Sequence, residues 1–196
     1  QRVCAVDLGL NTDAVCSIMT SDGTVLARKF IDFPSDKDQL KHVTNRIRGF
    51  QQKRGGHDVG SFWAYAKRLN EELAKKIALS IADFAVLYQA DCVVFEYLDM
   101  KGGKKGKNAQ KLSLWKRNSI QDYVEHKAHR CGIHVSRICA AGTSKYAYDG
   151  SGIVKRDVCN HSLATFSSGK KYNCDLSASY NIGARYFIRE IQKSLP

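Results

Sequence analysis

The sequence has no pair of cysteines spaced C-x-x-C, although it contains seven cysteines. Closely spaced cysteine pairs are typical of structural zinc sites, and this chain offers none. An odd number of cysteines scattered from position 4 to position 174 does not indicate a disulfide framework either. We therefore expect reduced thiols, as in a protein of the cytosol.

The sequence also lacks an internal linker, a secretory signal and a membrane span. No Pro-, Gly- or Ser-rich segment divides the 196 residues, which predicts one domain with one substantial core. The most apolar stretch, residues 77–97, is interrupted by four polar residues and does not predict a transmembrane helix. Because Gln1 stands directly before an apolar strand, we expect a fragment of a larger protein.

Acidic residues are scarce relative to basic ones. Asp and Glu number 19 against 31 Lys and Arg, so the formal net charge is +12. This excess favours a polyanionic partner, nucleic acid first and an anionic membrane second. The alternative is a basic soluble protein without such a partner.

Hydrophobic patterns alternate between strands and helices along the chain. Apolar runs at 2–8, 13–20 and 24–32 predict an antiparallel meander, and later strands are predicted at 91–96 and 133–138. Helices are predicted at 37–54, 61–89, 113–131 and from residue 175 onward, whereas 140–171 shows no regular pattern. The predicted core face of the second helix comprises Phe62, Tyr65, Leu69, Leu73, Ile77, Ile81, Phe84 and either Leu87 or Tyr88.

Two carboxylates end apolar strands. Asp7 closes the first strand and Glu96 closes the strand at 91–96. A dehydrated carboxylate costs several kcal/mol unless a cation or a hydrogen bond meets it. Asp7 also has a simpler interpretation as a turn residue, since Gly9 and Asn11 follow it. If the strands are adjacent and parallel, however, the two carboxylates repel each other unless a cation lies between them.

A third carboxylate, Asp175, stands at the start of the last predicted helix. Taken alone, it is an ordinary N-terminal acid stabilised by the helix dipole. Together with Asp7 and Glu96, it supplies the hard oxygen ligands that two Mg²⁺ or Mn²⁺ ions require. The sequence therefore predicts a divalent-metal site formed by distant parts of the chain.

Two basic segments are candidates for nucleic-acid binding. In the helix predicted at 37–54, Arg46, Arg48, Lys53 and Arg54 fall close together. The run 101–117 holds seven basic residues and no acidic one. Both segments are predicted to face phosphates, although a solvated helix and a disordered loop remain the alternatives. The candidates in the second segment are Lys101, Lys104, Lys105, Lys107 and Lys111.

Three sequence blocks together resemble a known family. They are Val6-Asp7-Leu8-Gly9, Val-Val-Phe-Glu-Tyr-Leu at 93–98, and the segment from Asp175 to Ile182. In this order they resemble the RuvC-type nuclease domain of TnpB proteins and of the type V (Cas12-type) CRISPR effectors, over nearly the whole chain. The resemblance implies an RNase H-like α/β fold: a mixed sheet with a three-stranded antiparallel meander, helices on both faces and an irregular insert before the last helix. It implies one domain over 1–196, with a helical insertion at about 36–90 and a degenerate zinc-ribbon-like insert at about 140–173.

The resemblance also implies an activity. Asp7, Glu96 and Asp175 would be the catalytic metal ligands of a Mg²⁺-dependent endodeoxyribonuclease, directed to DNA by a guide RNA in the full-length protein. Residues 46–54 would lie in the bridge-helix region, and Asn181 would match a recurrent position of the last helix. Such a protein would belong to the prokaryotic cytoplasm, near the nucleoid.

The chain departs from the family at the zinc ribbon. The family usually carries four cysteines there, whereas residues 143–150 contain tyrosine and aspartate in their place. Only Cys159 and Cys174 remain in the insert, with His161 as a candidate third ligand. Because two separated cysteines do not make a tetrahedral site, we expect an insert without zinc.

Other functions remain open at this point. The chain is alternatively a catalytically silent nucleic-acid-binding module, or a stand-alone RNase H-like resolvase or ribonuclease that acts without a guide. A basic α/β domain without catalysis is the least specific reading. The sequence leaves open the oligomeric state and the choice between DNA and RNA as substrate.

Overall fold

The structure, a computed structural model, describes residues 1–53, 59–97, 116–160 and 162–195. Several residues singled out above lie outside these ranges, and their predicted roles stay predictions. They are Arg54, Lys101, Lys104, Lys105, Lys107, Lys111 and His161.

A five-stranded mixed sheet forms the centre of the molecule. Its strands are β1 (Arg2–Leu8), β2 (Ala14–Thr20), β3 (Val25–Ile31), β4 (Cys92–Tyr97) and β5 (His134–Cys139). They lie in the order β3-β2-β1-β4-β5. β1, β2 and β3 are antiparallel, whereas β4 runs parallel to both β1 and β5. The predicted meander and both later strands are confirmed to within one residue.

Four helices are described: α1 (Pro34–Gln52), α2 (Gly60–Leu87), α3 (Arg117–Arg130) and α4 (Cys174–Ser194). Helix α1 begins earlier than the sequence predicted, because Pro34 occupies its first turn, where a missing N–H has no cost. Helix α3 is followed by Gly132, whose φ is +73°. Among the described residues, no helix is both long and apolar enough to cross a bilayer.

The sheet buries both of its faces, as predicted. Alternate residues of a strand point to opposite faces. In β1, Cys4 and Val6 pack in the core beneath α2 and α3, whereas Val3 and Ala5 pack in a second core beneath α4. The mixed sheet between helices confirms the predicted α/β class.

The predicted core face of α2 is only partly correct. Leu73, Ile77, Ile81 and Phe84 are buried, whereas Tyr65 is 39% exposed. Of the two alternatives at the end of the face, Tyr88 packs against the core and Leu87 is 73% exposed. The first turns of α2 pack against α1 in a separate small cluster instead of the sheet. A single narrow partner helix covers less of α2 than a sheet does, and Leu87 stands at the last turn.

The insert before the last helix is irregular over most of its length, as predicted, but it also contains a small sheet that the sequence did not predict. Three short antiparallel strands, β6 (Lys155–Arg156), β7 (Leu163–Thr165) and β8 (Lys171–Asn173), form a second sheet. Strands of two or three residues are too short to leave a periodic pattern. The small sheet has its own core of Ala147, Ala164, Phe166 and Cys174, with Tyr148, Val154 and Tyr172 against it.

Candidate functional site

The pairing of β1 with β4 brings the two strand-end carboxylates side by side. Val6 pairs with Phe95 in the parallel register, and one further step along both strands sets Asp7 beside Glu96. Asp7 continues the alternation of Val3 and Ala5, and Glu96 continues that of Cys92 and Val94. Both side chains therefore belong to the sheet face that α4 covers.

Helix α4 brings the third carboxylate to the same sheet edge. Its apolar side packs on the face formed by β1, β2 and β4. The Asn173 side chain accepts a hydrogen bond from the Leu176 N–H at 2.9 Å and so fixes the start of the helix. Asp175 stands in that first turn, beyond the end of the apolar contact.

The electrostatics of Asp7 show that the three acids interact. Burial raises the pKa of Asp7 from 3.8 to about 8, and the negative charges of Glu96 and then Asp175 add to the rise. No described residue gives the Asp7 carboxylate a hydrogen bond that would offset this effect. Asp7 therefore occupies a site that favours either a proton or another cation.

The other two carboxylates have different surroundings. Burial raises the pKa of Glu96, and a hydrogen bond from the Thr143 hydroxyl works against that rise. Burial also raises the pKa of Asp175, and the charge of Arg156 opposes it. Each of the three acids is thus harder to ionise than in water, chiefly because burial disfavours the charged form, and only Asp7 has like charges among the causes of its shift.

Two arginines at the site were missed by sequence reasoning. Arg117 was grouped with the basic run, but it is only 7% exposed, and its guanidinium donates to the main-chain oxygen of Glu96. Arg156 lies on β6 and is exposed; its charge lowers the pKa of both Asp7 and Asp175. Nothing in the local sequence distinguishes either arginine from the many other basic residues.

The chemistry of the residues at this site suits a divalent cation, although their side chains are not arranged around one. Among the described ranges, no three His, Cys, Asp or Glu side chains stand close enough together to hold a metal as they lie. The donors are nevertheless all carboxylate oxygens, which Mg²⁺ and Mn²⁺ prefer. A cation would stabilise the buried Asp7 carboxylate, which accepts no described hydrogen bond and lies beside two like charges.

The basic residues predicted on the first helix are exposed. Arg46 and Arg48 lie on α1, and Lys53 stands at its C-terminal end. The Arg46 guanidinium lies 5.0 Å from the ring centroid of Phe62, on α2. In the described part of the chain, these residues form a basic surface along α1.

The cysteines of the insert do not gather. Cys174 is buried in the small core and Cys159 is exposed. Tyr148 packs its ring against those of Phe166, Tyr172 and Tyr180 at centroid distances of 5.7, 5.1 and 5.0 Å. Aromatic packing thus joins the insert to α4.

No model of a known protein family matches the sequence, and no curated protein matches it. Solved structures do match the fold. In a cryo-EM structure of a Cas12f1–sgRNA–target DNA complex, the Cas12f1 chain is 19% identical, with a TM-score of 0.70 over 92% of this chain and 49% of that one. The mini RNA-guided endonuclease CRISPR-Cas_phi3 is 13% identical, with a TM-score of 0.66 over 95% of this chain and 45% of the other.

A chain of similar length has the same fold. T. thermophilus RuvC, in complex with a Holliday junction substrate, is 10% identical, with a TM-score of 0.52 over 97% of this chain and 96% of that one. These similarities confirm the predicted RNase H-like (RuvC) fold. The chain spans about half the length of the Cas12f1 and Cas_phi3 chains, and nearly all of RuvC.

Proposed function

We propose that this chain, which has the RNase H-like fold of RuvC, is a metal-dependent endonuclease domain that hydrolyses phosphodiester bonds of DNA. The observation that supports this most directly is the placing of Asp7, Glu96 and Asp175 at one end of the sheet, where burial, and then the two neighbouring charges, raise the pKa of Asp7 to about 8. The charges of Arg117 and Arg156 offset this rise only in part, and a divalent cation would complete the compensation.

In the proposed reaction the three carboxylates hold Mg²⁺ or Mn²⁺. When bound, the ions would activate the attacking water and stabilise the leaving oxygen. The protein orients the carboxylates by fixing two of them on neighbouring rigid strands and the third on a capped helix. Binding of a cation would displace the proton that the surroundings of Asp7 favour when no metal is bound.

The two arginines have different proposed parts. Arg117 is buried against the main chain of Glu96 and offsets part of the negative charge while the site is free of metal. Arg156 is exposed, and its charge reaches Asp7 and Asp175, so it is placed to meet the phosphate of an arriving strand.

The nucleic acid would be held through its backbone. The net charge of +12 and the basic surface on α1 favour phosphate contacts, which carry no sequence information. We extend this role to Lys101, Lys104, Lys105, Lys107, Lys111 and Arg54 from their sequence alone. Because a Cas12f1 chain of similar fold is seen with sgRNA and target DNA and is about twice as long, we propose that this chain is one domain of a longer, RNA-guided protein of the prokaryotic cytoplasm.

The test is cleavage of labelled single-stranded DNA with Mg²⁺, together with calorimetric titration of Mn²⁺. We expect Asp7→Asn and Glu96→Gln each to lower the cleavage rate by about 100-fold or more while DNA binding in EDTA is kept, since each removes a metal ligand. Asp83→Asn is the matched control, because Asp83 is an exposed acid of α2, away from the site. Unchanged cleavage by either ligand variant would refute the assignment.

The likeness to RuvC over nearly its whole length favours a second candidate, a stand-alone resolvase. In that case the chain alone would cut a four-way DNA junction faster than a linear strand of the same sequence. A binding module without catalysis would bind both substrates and cut neither, with Mn²⁺ uptake absent. The same titration and cleavage assays therefore separate the three functions.

A further inference from the structure

Helix α4 carries a row of polar side chains that donate hydrogen bonds to β5, the edge strand of the main sheet, and to the turn that follows it. Arg185 and Arg189 are one helical turn apart and so share a face. Arg189 donates to the main-chain oxygen of Arg137, and Arg185 donates to that of Cys139, each at 2.9 Å. Because β5 is an edge strand, these donors satisfy carbonyl groups that no neighbouring strand reaches.

The next residue of this row, Asn181, forms hydrogen bonds with the turn that follows β5. Its side-chain amide donates to the main-chain oxygens of Thr143 and Tyr146, at 2.8 and 2.7 Å. Gly142 has a φ of +81°, and a Cβ on it would lie 2.8 Å from the ring of Tyr146. The turn is therefore held in one conformation by α4 and by its own glycine.

This turn positions one hydroxyl group, that of Thr143, at the acidic site. Thr143 is 2% exposed, and its hydroxyl donates to the carboxylate of Glu96. The same oxygen lies 3.0 Å from the main-chain oxygen of Ala140. A hydroxyl has one proton, so it donates to one acceptor at a time, and an ionised carboxylate is the stronger acceptor.

We propose that Thr143 is a positioning residue for Glu96 and that Asn181 fixes Thr143 in turn. Asn181 and Asp175 lie on the same helix, so the path from Asn181 through Thr143 to Glu96 ties two of the three carboxylates to one element. The hydroxyl restrains the Glu96 side chain and leaves its other oxygen for a cation. This inference rests on the proposed function, and it adds two residues that do not bind metal or substrate themselves.

The decisive variant is Thr143→Val, which keeps the shape of the side chain and removes the hydroxyl. We expect Mn²⁺ affinity and kcat to fall by about 10- to 100-fold, as for other groups that orient a metal ligand, with KM for DNA unchanged. Thr143→Ser restores the hydroxyl and is expected to recover most of both. Asn181→Leu is expected to lower both the Mn²⁺ affinity and kcat, by a smaller factor than Thr143→Val does.

Thr44→Val is the matched control. Thr44 is also buried, at 5% exposure, and its hydroxyl donates to the main-chain oxygen of Lys41 at 3.0 Å, but on α1 and away from the acids. Urea unfolding of every variant shows whether it is folded at the assay temperature. If Thr143→Val does not fold, the comparison of Asn181→Leu with Thr44→Val carries the test.

The outcomes separate this inference from the proposed function. Weaker Mn²⁺ binding by Thr143→Val, recovery in Thr143→Ser and no change in Thr44→Val would support the positioning role, even if the isolated chain does not cut. Wild-type affinity and cleavage in Thr143→Val, or equal loss in Thr143→Ser, would overturn it while leaving the nuclease intact. A wild-type chain that neither takes up Mn²⁺ nor cuts would refute both.

Discussion

At the scale of single residues, Asp7 has the most unusual surroundings among the three carboxylates. Its pKa is raised to about 8 by burial and by two neighbouring acids, whereas Asp22, in the exposed hairpin turn, has a pKa lowered to about 2 by the Thr20 and Thr24 hydroxyls. Both residues are aspartates in the same meander. Their opposite shifts come from burial beside like charges in one case and from local hydrogen-bond donors in the other.

The raised pKa of Asp7 predicts how stability depends on pH without metal. Between pH 3.8 and about 8, the folded chain holds a proton on Asp7 that the unfolded chain has lost. Stability contributed by this group is therefore present at low pH and lost as pH rises. In EDTA, we expect wild type to lose on the order of 1–3 kcal/mol more than Asp7→Asn between about pH 5.5 and about pH 8 in urea unfolding.

Asp22→Asn is the control for this experiment. The pKa of Asp22 is lowered to about 2, so its contribution changes only in acid, below the ordinary value of 3.8. Its pH profile should parallel that of wild type over the tested range. At the upper pH, Mg²⁺ should restore the stability of the wild-type protein but not that of Asp7→Asn, since only the wild-type protein keeps the full set of metal ligands. Parallel profiles for wild type and Asp7→Asn would contradict the electrostatic picture.

At the scale of elements, the contact of α4 with the sheet sets the position of Asp175. Gly183 lies where α4 crosses β1 and β2, and a Cβ added there would lie 2.5 Å from the Met19 sulfur and 3.3 Å from the Ala5 Cβ. The helix approaches the sheet this closely only because residue 183 has no side chain. A methyl group added at this position must displace either the Met19 side chain or the helix that carries Asp175.

We expect Gly183→Ala to destabilise the protein by about 1–3 kcal/mol, since an extra methyl group overpacks the helix–sheet contact. Gly49→Ala is the matched control in α1, where nothing lies within 4 Å of an added Cβ. That substitution should stabilise by about 0.5–1 kcal/mol, because alanine loses less conformational freedom in a helix. Urea unfolding measures both, and a stabilising Gly183→Ala would show that the close approach is not needed.

At the scale of the whole molecule, the net charge of +12 is divided between two regions of opposite character. Three acidic residues stand at the ends of β1 and β4 and at the start of α4, whereas α1 presents exposed arginines. Under the proposed function, the arginines would contact the phosphate backbone and the acids would hold the catalytic cations. Such a division would let one region bind nucleic acid while the reaction takes place in the other.

This division predicts the salt dependence of nucleic-acid binding. In EDTA, the logarithm of the affinity for duplex DNA should fall linearly with the logarithm of salt concentration, between about 50 and 200 mM. Replacing Arg46 and Arg48 together by alanine should reduce the slope by up to about 2, because each phosphate contact contributes about 0.9. Fluorescence anisotropy at several salt concentrations measures this slope.

The control removes the same charge from two exposed lysines of α2. Lys75 pairs with Glu72 of the same helix at 3.2 Å, and Lys76 pairs with Asp36 of α1 at 2.5 Å. Replacing these two lysines by alanine should change the slope less than the arginine pair does. Equal slopes for the two double variants would mean that net charge, and not the α1 surface, determines binding.

The sequence by itself determined the elements and the identity of the three acids. Strands β1 to β5 and the helices carry apolar patterns long enough to be recognised, because burial of one face imposes a period of 2 or 3.6 residues. The strands of the insert are too short to show such a period. The fold class followed from the resemblance of three sequence blocks, in their order, to a known family, and the strand-end carboxylates were identifiable because charge in an apolar run requires a partner.

The tertiary structure alone decided what surrounds those acids. Arg117 and Arg156 are basic residues in a basic chain, and only the packing of α3 and of the insert brings their charges to Asp7. Thr143 reaches Glu96 across 47 positions of sequence, through a turn that α4 holds. Contacts between residues far apart in the chain leave no local pattern, because each depends on how separate elements pack.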